Sequence, residues 1–248
     1  MARGAKTALI TGSGRNIGRG CAHYLARAGF NVVINGSTQR DICDRTAGEV
    51  RDIGTDALVC MADLADQAAV DRMAAEALSE FGRVDVLLNN AAIRPLSPFL
   101  EMTDADLAHV MNVNTYSAVW LSRTFLPGMI DNGWGRIINF TGMNAQEGKA
   151  GRPGVTMSKH AMWGLTKALA REFGVKGVTT NIISPGTFPG EGENVAHDGK
   201  HGPLIAANPV GRLGKADDIA ALVQLLCSDN GGFINGQLLP VNGGVEMT

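Results

Sequence analysis

The chain predicts an α/β protein: a doubly wound sheet of about seven parallel strands with helices on both faces. Three observations carry that expectation. Short apolar runs alternate with longer amphipathic ones from end to end. A glycine-rich turn, Thr11-Gly12-Ser13-Gly14-Arg15-Asn16-Ile17-Gly18, stands at the first strand-to-helix junction. The 32 glycines fall at strand ends and loops, with no collagen or linker period, as many tight βα turns require.

In order, the runs Thr7–Ile10, Val32–Ile34, Asp56–Met61, Val84–Leu88, Gly135–Phe140, Thr179–Ile183 and Leu238–Val241 read as buried parallel strands. Between them the spacing predicts helices over about Asn16–Ala28, Thr38–Ile53, Ala65–Phe81, Asp104–Asn132, Val155–Val175 and Ala216–Cys227. Thr103 and Asp106 form a capping pair for the fourth. No linker, low-complexity tract or repeat interrupts the alternation, so residues 1–248 read as one domain with right-handed crossovers.

Composition bounds the function. With 248 residues, 45% hydrophobic and 19% charged, the chain can bury a large core. A formal net charge of -2 argues against nucleic acid and against an anionic membrane surface. No apolar run reaches the roughly 18 residues of a membrane span. Cys21, Cys43, Cys60 and Cys227 are far apart and form no CxxC pair, so they read as buried hydrophobes in a reducing compartment, with no metal site. The N-terminus runs straight into the first strand, which leaves no room for a signal peptide and points to the cytoplasm.

In an open α/β sheet the ligand lies at the carboxyl ends of the strands. The first such end is the glycine turn. Its Gly12, Gly14 and Gly18 let a pyrophosphate approach the backbone, while Arg15, Asn16 and Ile17 open the helix whose positive end faces it. After the second strand, Asn35-Gly36-Ser37-Thr38-Gln39-Arg40 carries no acid to accept from a ribose 2′-OH. Ser37, with Arg15 nearby, suits a 2′-phosphate, so NADP(H) is expected in preference to NAD(H); alternatively Ser37 and Thr38 N-cap the next helix. Asp63, before Leu64, can accept an adenine amino group or cap its helix. Asn89-Asn90-Ala91-Ala92 pairs amides that tie strands with small residues that admit a flat ligand. After the sixth strand come Ser184-Pro185-Gly186-Thr187 and a segment without clear period up to Gly214. Residues 187–214 therefore read as a lid over the substrate.

Taken together, Thr11-Gly12-x-x-x-Asn16-Ile17-Gly18, Asn89-Asn90-Ala91-Ala92, Asn114, Lys159, Pro185-Gly186 and Gly236-Gln237…Val241-Asn242-Gly243-Gly244 resemble the short-chain dehydrogenase/reductase family over essentially the whole chain. The resemblance implies a Rossmann-type subunit, a nicotinamide dinucleotide, a small-molecule substrate, and a homo-oligomer, usually a tetramer. It also implies a catalytic Asn–Ser–Tyr–Lys set. Asn114 matches the Asn and Lys159 the Lys. The Tyr position holds Val155 and the Ser position holds Gly142. Asn16 stands where the middle glycine is usual, and Asn tolerates φ > 0 better than most residues.

Valine cannot donate a proton. General acid–base catalysis supplies ~10²–10⁴-fold, so reduction of an ordinary ketone should be slow unless another donor serves. Tyr24 lies in the first helix, and Tyr116 points away from the face of Asn114. Glu147, with Asn144 and Gln146, sits between the two altered positions and is a candidate donor. Arg94 can bind a substrate carboxylate. His197 and His201, in the lid, titrate in a useful range, though such histidines ordinarily face solvent. His160 faces another side of its helix. Three readings stay open: an NADP(H)-dependent oxidoreductase with altered acid–base machinery, a dinucleotide-binding protein without redox chemistry, and a non-redox lyase or hydrolase.

Overall fold

The computed structural model describes residues 4–193, 199 and 201–247. The elements follow in strict alternation. β1 (Thr7–Ile10) leads to α1 (Asn16–Arg27), β2 (Asn31–Gly36) to α2 (Arg40–Ile53), and β3 (Ala57–Met61) to α3 (Gln67–Phe81). After β4 (Val86–Asn89) come α4 (Asp104–Met111), a π-helical turn (Asn112–Tyr116) and α5 (Ser117–Asp131). β5 (Gly135–Phe140) is followed by α6 (Met143–Glu147) and α7 (Pro153–Phe173), and β6 (Val178–Pro185) by α8 (Gly202–Ala206), α9 (Ala216–Leu226) and β7 (Leu238–Val241).

The strands form one sheet in the order β3-β2-β1-β4-β5-β6-β7, and every neighbouring pair is parallel. Chain order reverses at β1, so the crevice opens between β1 and β4. Successive side chains of a strand leave opposite faces. Ala8 and Ile10 accordingly pack with Cys21 and Leu25 of α1 and Ile219 and Val223 of α9. Leu9 joins Met73 of α3 and Leu121 and Phe125 of α5 on the other face. All four cysteines are free and buried.

Four expectations need correction. The helix expected over Asp104–Asn132 is broken, because the π-helical turn inserts an extra residue per turn and buries Val113, Asn114 and Thr115 together. The Thr103–Asp106 capping box does open α4. The second helix starts at Arg40, and Gln39 is its cap position without a side-chain bond, so Ser37 and Thr38 are not N-caps. Asp66, not Asp63, caps α3, accepting from the Ala68 N–H at 2.9 Å. Two short helices, α6 and α8, were not visible in the pattern; at five residues each they are too short to show a period.

Candidate active site

The carboxyl ends of the strands open into a cleft of about 1020 Å³. At one end lies the glycine turn. Gly12 has φ +62°, and a Cβ there would sit 3.0 Å from the Ala91 Cβ. At Gly18 a Cβ would lie 2.5 Å from the Gly12 carbonyl oxygen, so the turn closes only without a side chain. Asn16 has φ +53°, the one positive value at a non-glycine among the described residues, as its place in the turn predicts. Arg15, at the cap position of α1, makes no side-chain capping bond. A carboxylate from the segment after β6 caps the helix instead. Glu191 accepts from the Asn16 N–H at 3.1 Å and from Arg19 at 3.2 Å, and its own N–H donates to the Asn16 Oδ1 at 2.8 Å.

Beyond the turn, Arg15, Ser37, Thr38 and Gln39 line the same cleft, and no acid stands among them. Arg40 is turned toward Asp44, 3.5 Å away, whereas Arg15 lines the cleft. Gly14 and Ile17 also face the cleft, as do Asp63 and Leu64. The Asp63 carboxylate accepts from the Ala65 N–H at 2.9 Å.

At the switch point the amides do structural work. The Asn89 Nδ2 donates to the Asn139 Oδ1 at 2.8 Å, joining β4 to β5. The Asn90 Nδ2 donates to the carbonyls of Thr11 and Gly12 at 2.9 and 3.0 Å, which fixes the turn against β4. Ala91 lines the cleft beside it. Asn114 is buried in the π-helical turn. Its Oδ1 accepts from the Ile93 N–H at 2.9 Å, and its Nδ2 donates to the Ile93 carbonyl and to the Ser158 Oγ at 3.0 and 3.1 Å. Asn114 thus shapes the cleft through Ile93 and does not line it.

Lys159 lines the cleft from α7, with only 3% of its surface exposed. Its Nζ donates to the Phe140 carbonyl at 2.8 Å. Burial, and secondarily Arg94, push its pKa down to about 7. Val155, one turn earlier on α7, lines the same wall, and Gly142 lies across from it. Gly142 has φ 171°, open to any residue, and a Cβ there would meet nothing nearer than the Pro185 carbonyl oxygen at 4.0 Å. Pro185 and Gly186 complete the floor at the end of β6.

Other expected residues lie elsewhere. Glu147 ends α6, exposed and away from the cleft lining; its charge, after burial, helps to raise the pKa of Glu246. Tyr116 is half exposed and stacks on Trp120 at 6.2 Å, and Tyr24 packs on the core. His160 is exposed, with its Nδ1 3.0 Å from the Thr156 carbonyl oxygen. His201 does not face solvent: it is buried, 3.2 Å from Glu193. His197 lies outside the described residues, as do 194–198 and 200 within the 187–214 segment. No group of three His, Cys, Asp or Glu among the described residues could hold a metal.

The structure adds residues that the sequence did not single out. Lys149, Arg152, His109 and Thr156 line the cleft beside Arg94, the candidate for a substrate carboxylate. Arg152 and Thr156 flank the start of α7, three residues before Val155 and one after it, a position that periodicity could have flagged. The His109 position depended on the π-helical turn.

Comparison with known proteins agrees with this geometry. A family profile described as Enoyl-(Acyl carrier protein) reductase matches residues 12–246. The 3-oxoacyl-[acyl-carrier-protein] reductase FabG of Staphylococcus epidermidis is 33% identical over 242 residues, covering 98% of this chain and 99% of the relative. The acetoacetyl-CoA reductase of Cupriavidus necator is 33% identical and covers 98% of each. A crystal structure described as a candidate NAD(P)-dependent gluconate 5-dehydrogenase from Beutenbergia cavernae, with NADP bound at low occupancy, superimposes with a TM-score of 0.87 at 37% identity, covering 97% of this chain and 96% of that one. With the parallel sheet, the glycine turn at its switch point and the buried lysine on the helix after β5, these matches place the chain in the short-chain dehydrogenase/reductase family of NAD(P)-dependent oxidoreductases.

Proposed function

We propose that the chain is an NADP(H)-dependent oxidoreductase whose proton-transfer machinery departs from that of its family. The observation that carries this reading is the wall formed by α7. Lys159 is kept, buried and oriented, while the residue one turn earlier is Val155 and no tyrosine lines the cleft.

The residues suit a dinucleotide. Gly12 and Gly18 form a cradle that a Cβ would fill, and the first amides of α1 face it. In this reading Arg15, Ser37 and Thr38 take a 2′-phosphate, and Asp63 and Leu64 take the adenine. Asn90, Ala91, Pro185 and Gly186 press against the nicotinamide half, and Lys159 holds its ribose. The nicotinamide would supply or accept the hydride. Proton supply falls to what remains at the cleft. Val155 and Gly142 offer no proton, whereas Lys159, with a pKa of about 7, exchanges one near neutrality. Substrates that need little proton assistance, such as an activated C=C bond, fit best. By family resemblance the protein is a homo-oligomer, dimer or tetramer, which sedimentation can check.

Two measurements test the reading. Calorimetry should find NADPH bound more tightly than NADH, and Arg15→Ala should erase most of that difference. An assay of NADPH oxidation across ketones, quinones and enones should find turnover, fastest on enones. Tight NADPH binding with no turnover on any would favour a dinucleotide-binding protein without redox chemistry. A reaction without net cofactor consumption would favour a lyase or hydrolase.

A further inference from the structure

The substrate end of the cleft carries an imbalance of charge. Three carboxylates line the cleft, and each is engaged: Asp63 by the Ala65 N–H, Glu191 by Asn16 and Arg19, and Glu193 by His201. Arg94, Lys149 and Arg152 line it too, and among the described residues none of the three side chains has an ion pair or hydrogen bond. Arg94 is exposed and Arg152 half-buried. Surrounding protein, and then Arg152, lower its pKa, so the two guanidinium groups feel each other's charge. Arg94 in turn disfavours the charged form of Lys159. Like charges brought together without a counterion are costly, and a planar guanidinium pair is shaped to receive an oxyanion.

Next to this cluster a second chamber of about 460 Å³ opens. Its walls are largely apolar, with Ile93, Leu96, Met102, Val110 and Val155. Its carboxylate, Asp106, is spent in the capping box of α4. Ile93, His109, Arg152 and Val155 line both chambers, so Arg152 stands at the doorway, with Arg94 on the cleft side of it. No residue of the glycine turn, β2 or β3 reaches this chamber, which separates it from the nucleotide end.

We propose that the substrate is an amphiphilic oxyanion: its carboxylate or phosphate monoester lies between Arg94 and Arg152, and its apolar body fills the side chamber beyond Val155. This rests on the reading that the cleft places a substrate beside a nicotinamide. A neutral alcohol or sugar would leave the two arginines unpaired, and a small anion would leave the chamber unfilled.

The test is a calorimetric titration of the full chain, with and without NADP⁺, using hexanoate, hexyl phosphate, hexan-1-ol and acetate. Hexanoate or hexyl phosphate should bind at least about tenfold more tightly than hexan-1-ol and than acetate, in keeping with charge-assisted pairing plus apolar burial. Whichever of the two binds more tightly identifies the anion. The Arg94→Gln/Arg152→Gln double variant should lose most of that advantage while keeping its circular dichroism and its NADP⁺ affinity. Hexan-1-ol binding as tightly as both anions would overturn the proposal, as would unchanged anion affinity in the folded double variant. Acetate matching hexanoate would remove the side chamber from it. Arginine-dependent binding of hexanoate by a protein that ignores both dinucleotides would leave the oxyanion site standing and defeat the cofactor reading alone.

Discussion

The two ends of the cleft are built on different principles. At the nucleotide end the backbone does the work. Gly12, Gly14, Gly18 and the positive-φ Asn16 shape a turn that is closed by the Asn90 amide and aimed by α1. At the substrate end side chains do the work: Arg94 from the loop after β4, Arg152 from the entry to α7, and Val155 and Lys159 from α7 itself. A backbone cradle tolerates little change, because a single Cβ collides with a carbonyl. A side-chain pocket can hold small or aliphatic residues such as Gly142 and Val155 with its walls intact, since the cradle and the sheet do not depend on either.

That contrast can be broken or sharpened by experiment. The largest effect is expected from Gly142→Ser combined with Val155→Tyr. Gly142 has room for a side chain, and Lys159 and Asn114 are in place. Restored acid–base chemistry should raise NADPH-dependent carbonyl reduction by ~10²–10⁴-fold. A folded, NADPH-binding double variant that stays inert on every carbonyl would show that the site is placed wrongly. At the other end Gly18→Ala should weaken dinucleotide binding by at least about 100-fold, because its Cβ lies 2.5 Å from the Gly12 oxygen. Binding unchanged by calorimetry would mean that the turn gives way.

Lys159 makes a pH prediction. Its pKa falls from 10.5 to about 7 on folding. Between those values the unfolded chain holds a proton that the folded chain lacks, so stability rises with pH. Over the same range thiols of the unfolded chain begin to ionise and offset the rise in the wild type and the variant alike, since burial raises the pKa of all four cysteines. From pH 7 to about 8.5, urea melts should therefore show the wild type gaining on Lys159→Met by about 1 kcal/mol per pH unit. An unchanged slope in the variant would place the titration elsewhere. The smallest effect is expected at Glu191, whose carboxylate occupies an amide of α1 that a phosphate would want. Glu191→Ala should tighten NADPH binding about threefold, as expected for one charge at a helix terminus. Weaker binding would instead make Glu191 a helper of the closed segment.

Local rules made the nucleotide end legible. Glycine spacing, an acid-free turn after β2 and paired asparagines each act within a few residues, and the structure brings the turn, residues 36–39 and Asn90 to one cleft. The central helix was less legible, because a π-helical turn changes the phase of everything before it, His109 included. Glu147 looked suitable from its place in the chain, but α6 directs it away from the cleft and toward the charge of Glu246.

By itself the sequence determined the alternation of β and α, the single parallel sheet, the glycine turn, and the presence of Val155 four residues before Lys159 and of Gly142 after β5. Each follows from period, local conformation or residue identity. Only the tertiary structure decided that Arg94 and Arg152, 58 residues apart in the numbering, share one unpaired charge cluster beside an apolar chamber. It alone decided as well that Lys159 is buried deeply enough to titrate near neutrality. Electrostatic neighbourhood and burial depend on distances across the fold, and no short-range pattern encodes those.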